Sequence, residues 1–436
     1  MSNNASGKST QRVLPARNVL GSLRLPGDKS ISHRYAMLAA LASGTTRLQN
    51  FSTGADPHST LACVEQLGAR ITHTAEGVIE IAGCAGRLQQ PADPLDCGNS
   101  GSTMRMLAGI LAAQPISCTL IGDASLTRRP MERIRKPLSA MGAQVDLTDG
   151  HAPMTIHGGA LQGTDFATPI ASAQVKSCLL FAGLQAQGVT TVHEPVRTRD
   201  HGELALRAFG AELTRTRDSV TIHGGQSLQA IDAIVPGDLS SAAFFLCAAA
   251  IFSESNLVLD NVGMNPTRAT LLDVLRSLGL RISVLQLSEQ HGELVGTIQV
   301  SGSGSGLGGV TISGALSTQL IDELPVLAAI APYTREGIQI RDARELRVKE
   351  SDRIALVAQN LRAMGASVTE HDDGLDIPGG QELHGAEIDS GDDHRIAMAF
   401  SVAALRADGE TQIHGAESAA ISFPEFFDLL EHITER

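Results

Sequence analysis

Cations and small hydroxyl residues gather in short stretches of this 436-residue chain, each just ahead of an apolar, helix-forming run. Lys29, Ser30 and Arg34 lie in LPGDKSISHR, which begins at Leu25. Asn99 to Arg105 reads NSGSTMR, with Gly101 in a small-residue turn. Ser172 to Lys176 reads SAQVK and includes Gln174. Asp392 to Arg395 reads DDHR. Later loops add Arg128-Arg129-Pro130, Arg197-Thr198-Arg199 and Arg347-Val348-Lys349-Glu350-Ser351-Asp352-Arg353. The free N–H groups of a helix start favour an anion, and guanidinium or ammonium groups beside them favour phosphate or carboxylate. Two carboxylates stand among these cations: Asp322, ahead of an apolar helix, and Glu350, between Lys349 and Arg353. A carboxylate pair can give and take protons, which chemistry on a stable alcohol or enol ether requires. Each residue alone has a plainer explanation. A capped helix start accounts for Asp28 and Ser30, a surface charge or ion pair for Arg105 or Lys176, and charge balance for Asp322 and Glu350. The set together points to an anion site with proton-transfer groups.

The elements that must position these residues recur six times. Apolar helical runs at Met37–Ala42, Met106–Ala113, Leu179–Ala186, Phe244–Ile251, Val326–Ile330 and Met398–Leu405 are each followed by a turn and a strand-like segment. A second, amphipathic helix then ends in a repeated phrase: QLGARI, AMGAQV, AFGAEL, SLGLRI and AMGASV. Its glycine suits the residue just past a helix end, with a strand to follow. The sixth copy is truncated, with its second helix expected over Phe423–Ile433. A period of roughly 70 residues is too long for a solenoid, so each copy reads as a compact helix–strand–helix–strand unit. The fold class is therefore α/β, with two domains of three units each. Residues 26–236 form one domain, and residues 1–25 with 237–436 the other. The expected hinges are Leu25-Pro26 and Val235-Pro236-Gly237. Symmetry would point equivalent helix starts the same way, and two such domains would enclose a cleft lined by helix N-termini and cations, suited to anions.

Composition narrows the class of function. A net charge of −13 and the absence of tryptophan argue against a nucleic-acid partner. The longest apolar run, Ala242–Phe252, is too short to span a bilayer and reads as a buried helix, so no membrane association is expected. The polar opening MSNNASGKSTQR lacks a signal core, and the six cysteines show no CxxC spacing. A cytoplasmic protein with reduced, buried thiols and no metal is expected. Two motifs mislead. Gly7-Lys8-Ser9-Thr10 resembles the end of a P-loop, but Ser2 stands where the motif needs glycine, and a disordered tail is the better reading. Gly304, Gly306 and Gly309 match GxGxxG, yet VTIS follows where a helix must begin, so a loop between strands is expected. HGE at His201 and His291 lacks the partner histidine of HExxH, and no GxSxG elbow is present.

Taken as they stand, LPGDKSISHR, GNSGSTMR, GDASLTRRPM, SAQVKS, RTRDH, PGDLSSA, DELP, RVKESDR and DDHRIAMA resemble, in this order, the EPSP synthases (3-phosphoshikimate 1-carboxyvinyltransferases). The resemblance runs from about Leu20 to Leu430. It implies two domains with pseudo-three-fold symmetry, each an inverse α/β barrel, with the active site in the cleft between them. It implies transfer of the carboxyvinyl group of phosphoenolpyruvate to the 5-hydroxyl of shikimate 3-phosphate, by addition and elimination through a tetrahedral ketal phosphate, with no cofactor. Carried over by motif, Lys29, Ser30, Arg34, Ser172, Gln174, Arg199, Asp322 and Lys349 would hold shikimate 3-phosphate. Lys29, Gly101, Arg129, Gln174, Arg353 and Arg395 would hold phosphoenolpyruvate. Asp322 would take the hydroxyl proton, and Glu350, with Lys29, would serve the methylene carbon. The family also implies a monomer and inhibition by glyphosate at the phosphoenolpyruvate site. One departure stands out: some members carry lysine before the last Ser/Thr-Phe-Pro, where this chain has Ile421.

Two other readings remain at this point. A relative of the same fold uses UDP-N-acetylglucosamine as acceptor, but usually has a cysteine in the loop corresponding to Gly122–Pro130, which has none. A repeat protein that only binds an anion would gain nothing from Asp322 and Glu350, since carboxylates weaken anion binding unless they move protons.

Overall fold

The structure is a computed structural model and describes residues 2–3, 9–302 and 306–436. The chain divides into two compact units. The N-terminal unit comprises Gly27–Pro236 and Glu289–Glu293; the C-terminal unit comprises Gly237–Ser288, Leu294–Arg436 and the residues up to Pro26. The expected boundary at residue 237 gave Glu289–Glu293 to the other side. In the structure Glu293 Oε1 lies 2.6 Å from His201 Nδ1, with both residues buried, and His291 Nε2 lies 2.9 Å from the Asp232 carbonyl.

The second repeat shows how each unit is built. The strand Leu95–Asp96 precedes the helix Gly101–Ala112, and Ser117–Ile121 returns parallel to that strand. The helix Glu132–Ala140 follows. The hairpin Gln144–Thr148 and His151–His157 then completes a four-stranded sheet, with its second arm antiparallel to Ser117–Ile121. The repeat is thus strand–helix–strand–helix–hairpin, longer than the expected helix–strand–helix–strand. The strands missed ahead of the helices, such as Leu95–Asp96, Asp165–Ala167 and Asp232–Ile234, have only two or three residues. That is too short to show alternation in sequence. Three pairings close the repeats over long sequence distances. Asp232–Ile234 runs parallel to Thr45–Gln49, Asn18–Arg24 runs parallel to Asn256–Gly263, and Ser9–Val13 lies antiparallel to Thr411–His414. The last of these completes the truncated sixth copy, whose closing helix is Phe426–Ile433 after a 3-10 turn Ala416–Ile421, not Phe423–Ile433.

All six expected first helices form: Lys29–Leu41, Gly101–Ala112 and Ala173–Gly183 in the N-terminal unit, and Leu239–Ala250, Leu324–Ile330 and His394–Ala404 in the C-terminal unit. Each is buried around most of its circumference, as a helix apolar on every face must be. The three helices of a unit therefore form its core, and the half-buried sheets take the outside. This is the inverse of a barrel with its strands innermost. The second helices end at Gly68, Gly142, Gly210, Gly279 and Gly365, with φ between +90° and +110°, the left-handed turn that glycine adopts without strain. Small residues let the core helices approach closely. A Cβ at Gly109 would fall 2.0 Å from the carbonyl oxygen of Cys178. Gly109→Ala is expected to lower stability by about 3 kcal/mol, the upper end for overpacking. An unchanged urea midpoint would show that these helices can part.

No helix among the described residues is long and apolar enough to cross a membrane. Gly7 and Lys8 of the P-loop-like stretch lie outside the described residues, and Ser9 and Thr10 open the strand Ser9–Val13. Gly304 also lies outside them, while the strand Val310–Ile312 follows Gly309 as expected.

Candidate functional site

In the N-terminal unit the cations collect at helix starts. Asp28 caps the helix Lys29–Leu41 by accepting from the Ile31 N–H at 2.9 Å. Lys29 is thereby placed on the first turn, where its Nζ lies 3.1 Å from Asp56 Oδ2. One turn on, Arg34 is buried and donates to the Ser30 carbonyl (2.8 Å) and to Ser177 Oγ (3.0 Å). Burial pulls its pKa down to about 10, and Arg199 pushes the same way against Glu203, Asp28 and Glu293. Two guanidinium groups close enough to feel each other are a place where an anion relieves repulsion. Ser172 caps the helix Ala173–Gly183, with its hydroxyl accepting from the Val175 N–H at 3.4 Å.

The helix Gly101–Ala112 carries the densest group. Ser100 caps it by accepting from the Thr103 N–H. Arg129 donates to Asn99 Oδ1 at 2.6 Å and to Ser125 Oγ at 3.2 Å. Arg105 donates to Gln174 Oε1 at 2.7 Å, and Gln174 Nε2 donates to Ser102 Oγ at 2.9 Å. Gly101 lies between the two arginines: a Cβ there would stand 3.3 Å from Arg129 Nη1 and 3.4 Å from Arg105 Nη1. Of the Arg128-Arg129 pair, Arg129 is buried and Arg128 is exposed.

In the C-terminal unit the charges balance. Asp322 Oδ1 lies 3.5 Å from Lys349 Nζ and 3.7 Å from Arg353 Nη1. Glu350 Oε2 lies 2.6 Å from Arg353 Nη2, and Asp393 Oδ2 lies 2.8 Å from Arg353 Nε. Burial alone would lower the pKa of Arg353, but Asp393, Glu350 and Asp322 more than offset it, so the guanidinium stays firmly charged. Asp393 also caps the helix His394–Ala404, accepting from the Arg395 N–H, and the Arg395 guanidinium sits 5.8 Å from the Phe244 ring centre. Both candidate proton-transfer carboxylates are partly exposed, at 20% for Asp322 and 17% for Glu350, as groups that meet a substrate must be. The neighbouring Glu323 is buried. It accepts from Ser240 Oγ and lies 3.4 Å from Arg268 Nη2.

The structure thus joins Gly101 with Arg129, and Asp322 with Lys349, Glu350 and Arg353. It places Ser30 and Arg199 beside Arg34. Three groups to which the sequence assigned no role of their own support the candidates: Asp56 on Lys29, Asn99 on Arg129 and Asp393 on Arg353. Asp393 had a local signal as a carboxylate ahead of a helix start; Asp56 meets Lys29 only through the fold. Lys176 leaves the set of candidate anion ligands. It is fully buried, 2.9 Å from both Glu194 Oε2 and Glu203 Oε1. Ile421 ends the 3-10 turn Ala416–Ile421, partly buried.

Two units of three buried helices inside sheets place the chain in the enolpyruvyl transferase fold. The enolpyruvyl transferase NikO from Streptomyces tendae has this fold, with a TM-score of 0.78 at 18% identity over 97% of this chain and 96% of that one. The profile of EPSP synthase (3-phosphoshikimate 1-carboxyvinyltransferase) matches residues 13–430, and the chain belongs to that family. A 3-phosphoshikimate 1-carboxyvinyltransferase of Koribacter versatilis (strain Ellin345) is 64% identical over 425 residues, covering 98% of this chain and 99% of the relative. One from Solibacter usitatus (strain Ellin6076) is 54% identical, covering 98% and 100%. The crystallographic EPSP synthase of Acinetobacter baumannii superimposes with a TM-score of 0.86 at 41% identity, covering 98% of each chain.

Proposed function

We propose that this chain transfers the carboxyvinyl group of phosphoenolpyruvate to the 5-hydroxyl of shikimate 3-phosphate and releases phosphate, as the 3-phosphoshikimate 1-carboxyvinyltransferase names of its relatives suggest. One observation carries the reading. Cations gather at helix starts in the N-terminal unit, while partly exposed carboxylates lie among cations in the C-terminal unit. The first arrangement suits two multiply charged anions; the second suits proton transfer.

Residue by residue, Lys29, Ser30, Arg34, Ser172, Gln174, Arg199, Asp322 and Lys349 hold shikimate 3-phosphate. Lys29, Gly101, Arg129, Gln174, Arg353 and Arg395 hold phosphoenolpyruvate. Asp322 accepts the proton of the 5-hydroxyl as its oxygen attacks C2 of phosphoenolpyruvate. A proton is delivered to C3 from Glu350 or Lys29, giving the tetrahedral ketal phosphate. Elimination removes a proton from C3 and expels phosphate, leaving the enol ether. The fixed cations stabilise charge as it shifts onto phosphate and carboxylate. The protein works in the cytoplasm as a monomer without a cofactor, and its six free cysteines fit a reducing compartment.

Phosphate release from phosphoenolpyruvate tests the reaction. Release should require shikimate 3-phosphate. Release with UDP-N-acetylglucosamine instead would keep the donor and replace the acceptor, and no release with either would leave an anion-binding protein. Glyphosate, as a phosphoenolpyruvate competitor, provides a second test. Gly101→Ala should raise the inhibitor concentration for half-inhibition more than tenfold, with a smaller rise in KM for phosphoenolpyruvate. The added methyl must displace Arg129 and Arg105 by a few tenths of an ångström. Unchanged inhibition would remove Gly101 from the site.

A further inference from the structure

Behind the Gly101 turn runs a fully buried chain of hydrogen bonds that the proposed chemistry does not use. His33 Nδ1 lies 2.7 Å from Thr60 Oγ1, Thr60 Oγ1 lies 2.7 Å from Thr103 Oγ1, and Thr103 Oγ1 donates to Ser100 Oγ at 2.7 Å. All four residues are 0% exposed. Each hydroxyl has one proton, so the direction of the whole chain follows from its last link. Thr103 spends its proton on Ser100, so Thr60 donates to Thr103, and His33 donates its Nδ1–H to Thr60. His33 Nε2 then carries the lone pair, and it has no hydrogen-bond partner among the described residues. Burial, with Lys29 and Arg34 close by, holds the imidazole neutral.

The chain ties three elements together. His33 sits one turn beyond Lys29, Thr60 lies on the helix Ala55–Gln66 that also carries Asp56, and Ser100 caps the helix that starts at Gly101. Apolar packing would hold these helices together but would leave them free to slide by fractions of an ångström. A directed series of short hydrogen bonds does not. We propose that the His33–Thr60–Thr103–Ser100 chain is a positioning element that fixes the Gly101 turn in register with Lys29 and so sets the affinity for phosphoenolpyruvate. This rests on the reading that Lys29, Gly101 and Arg129 hold that substrate. The four residues are positioning residues; none is assigned a contact with a substrate.

The test cuts the chain at its centre. Thr60→Val keeps shape and removes the hydroxyl, Thr60→Ser keeps the hydroxyl, and His33→Leu/Thr60→Val removes donor and acceptor together so that no buried donor is orphaned. Thr60→Val and the double variant should raise KM for phosphoenolpyruvate about tenfold, or roughly 1.4 kcal/mol. KM for shikimate 3-phosphate should stay within about twofold, and Thr60→Ser should behave as wild type. A folded double variant with unchanged KM for phosphoenolpyruvate would overturn the proposal, as would equal rises in both KM values. Arg129→Ala separates the two levels. If it leaves KM for phosphoenolpyruvate unchanged, the site reading itself falls; if it raises that KM while the chain variants do not, only the positioning role falls.

Discussion

Asp322→Asn is expected to lower kcat by about 10²- to 10⁴-fold, the usual contribution of a positioned general base, without raising the KM of either anionic substrate, because the amide oxygen keeps the proposed hydrogen bond to shikimate 3-phosphate. The split follows from the charge arrangement. Asp322 lies 3.5 Å from Lys349 and 3.7 Å from Arg353, so in binding it competes with an incoming phosphate or carboxylate for those cations. Removing its charge loses the proton acceptor and frees the cations. Chemistry and binding therefore move in opposite directions. Stability should change little, because the side chain is partly exposed and Arg353 keeps Asp393 and Glu350. Steady-state kinetics against both substrates, with a urea melt alongside, checks all three statements. A KM that rises while kcat holds would make Asp322 a binding group only. Glu323→Gln provides the contrast: it disturbs the buried Ser240–Arg268 cluster and should be read mainly in the melt.

The largest stability effect is expected at a residue whose sequence context suggests function. Lys176→Met should cost about 3–5 kcal/mol, the typical penalty for breaking a buried ion pair from one side. Its ammonium group is fully buried between Glu194 and Glu203, themselves 5% and 1% exposed. Removing it leaves two carboxylates together in the core. Adding Glu203→Gln should recover part of the loss, since the interaction of neighbours is not additive. Urea midpoints of the single and double variants decide the matter. A Lys176→Met protein of normal stability with weakened substrate binding would return Lys176 to the anion site.

Both expectations turn on where sequence information ends. Side chains at neighbouring positions have opposite fates here: Asp322 is partly exposed and Glu323 buried, Arg129 is buried and Arg128 exposed. Nothing in DEL or RRP distinguishes them, because burial at a helix start depends on which neighbour packs against it. The short leading strands were invisible for a related reason. Two or three residues cannot display a period, and they become strands only when a strand more than twenty residues away supplies the hydrogen-bonding edge.

The sequence alone determined the elements of local origin. Apolar runs dictated six buried helices, because a helix apolar on every face has nowhere to go but the core. The recurring glycine fixed where the second helices end, because few other residues adopt that turn without strain. The order of motifs, from LPGDKSISHR to DDHRIAMA, was enough to indicate the family. Only the tertiary structure decided what depends on long-range contact: Ser9–Val13 completing the sheet of the sixth repeat, Asp56 meeting Lys29, Asp393 holding Arg353, and Lys176 closing on Glu194 and Glu203. A charge binds a ligand or a partner in the protein according to what lies within a few ångströms of it, and that distance is set by packing between segments far apart in the chain.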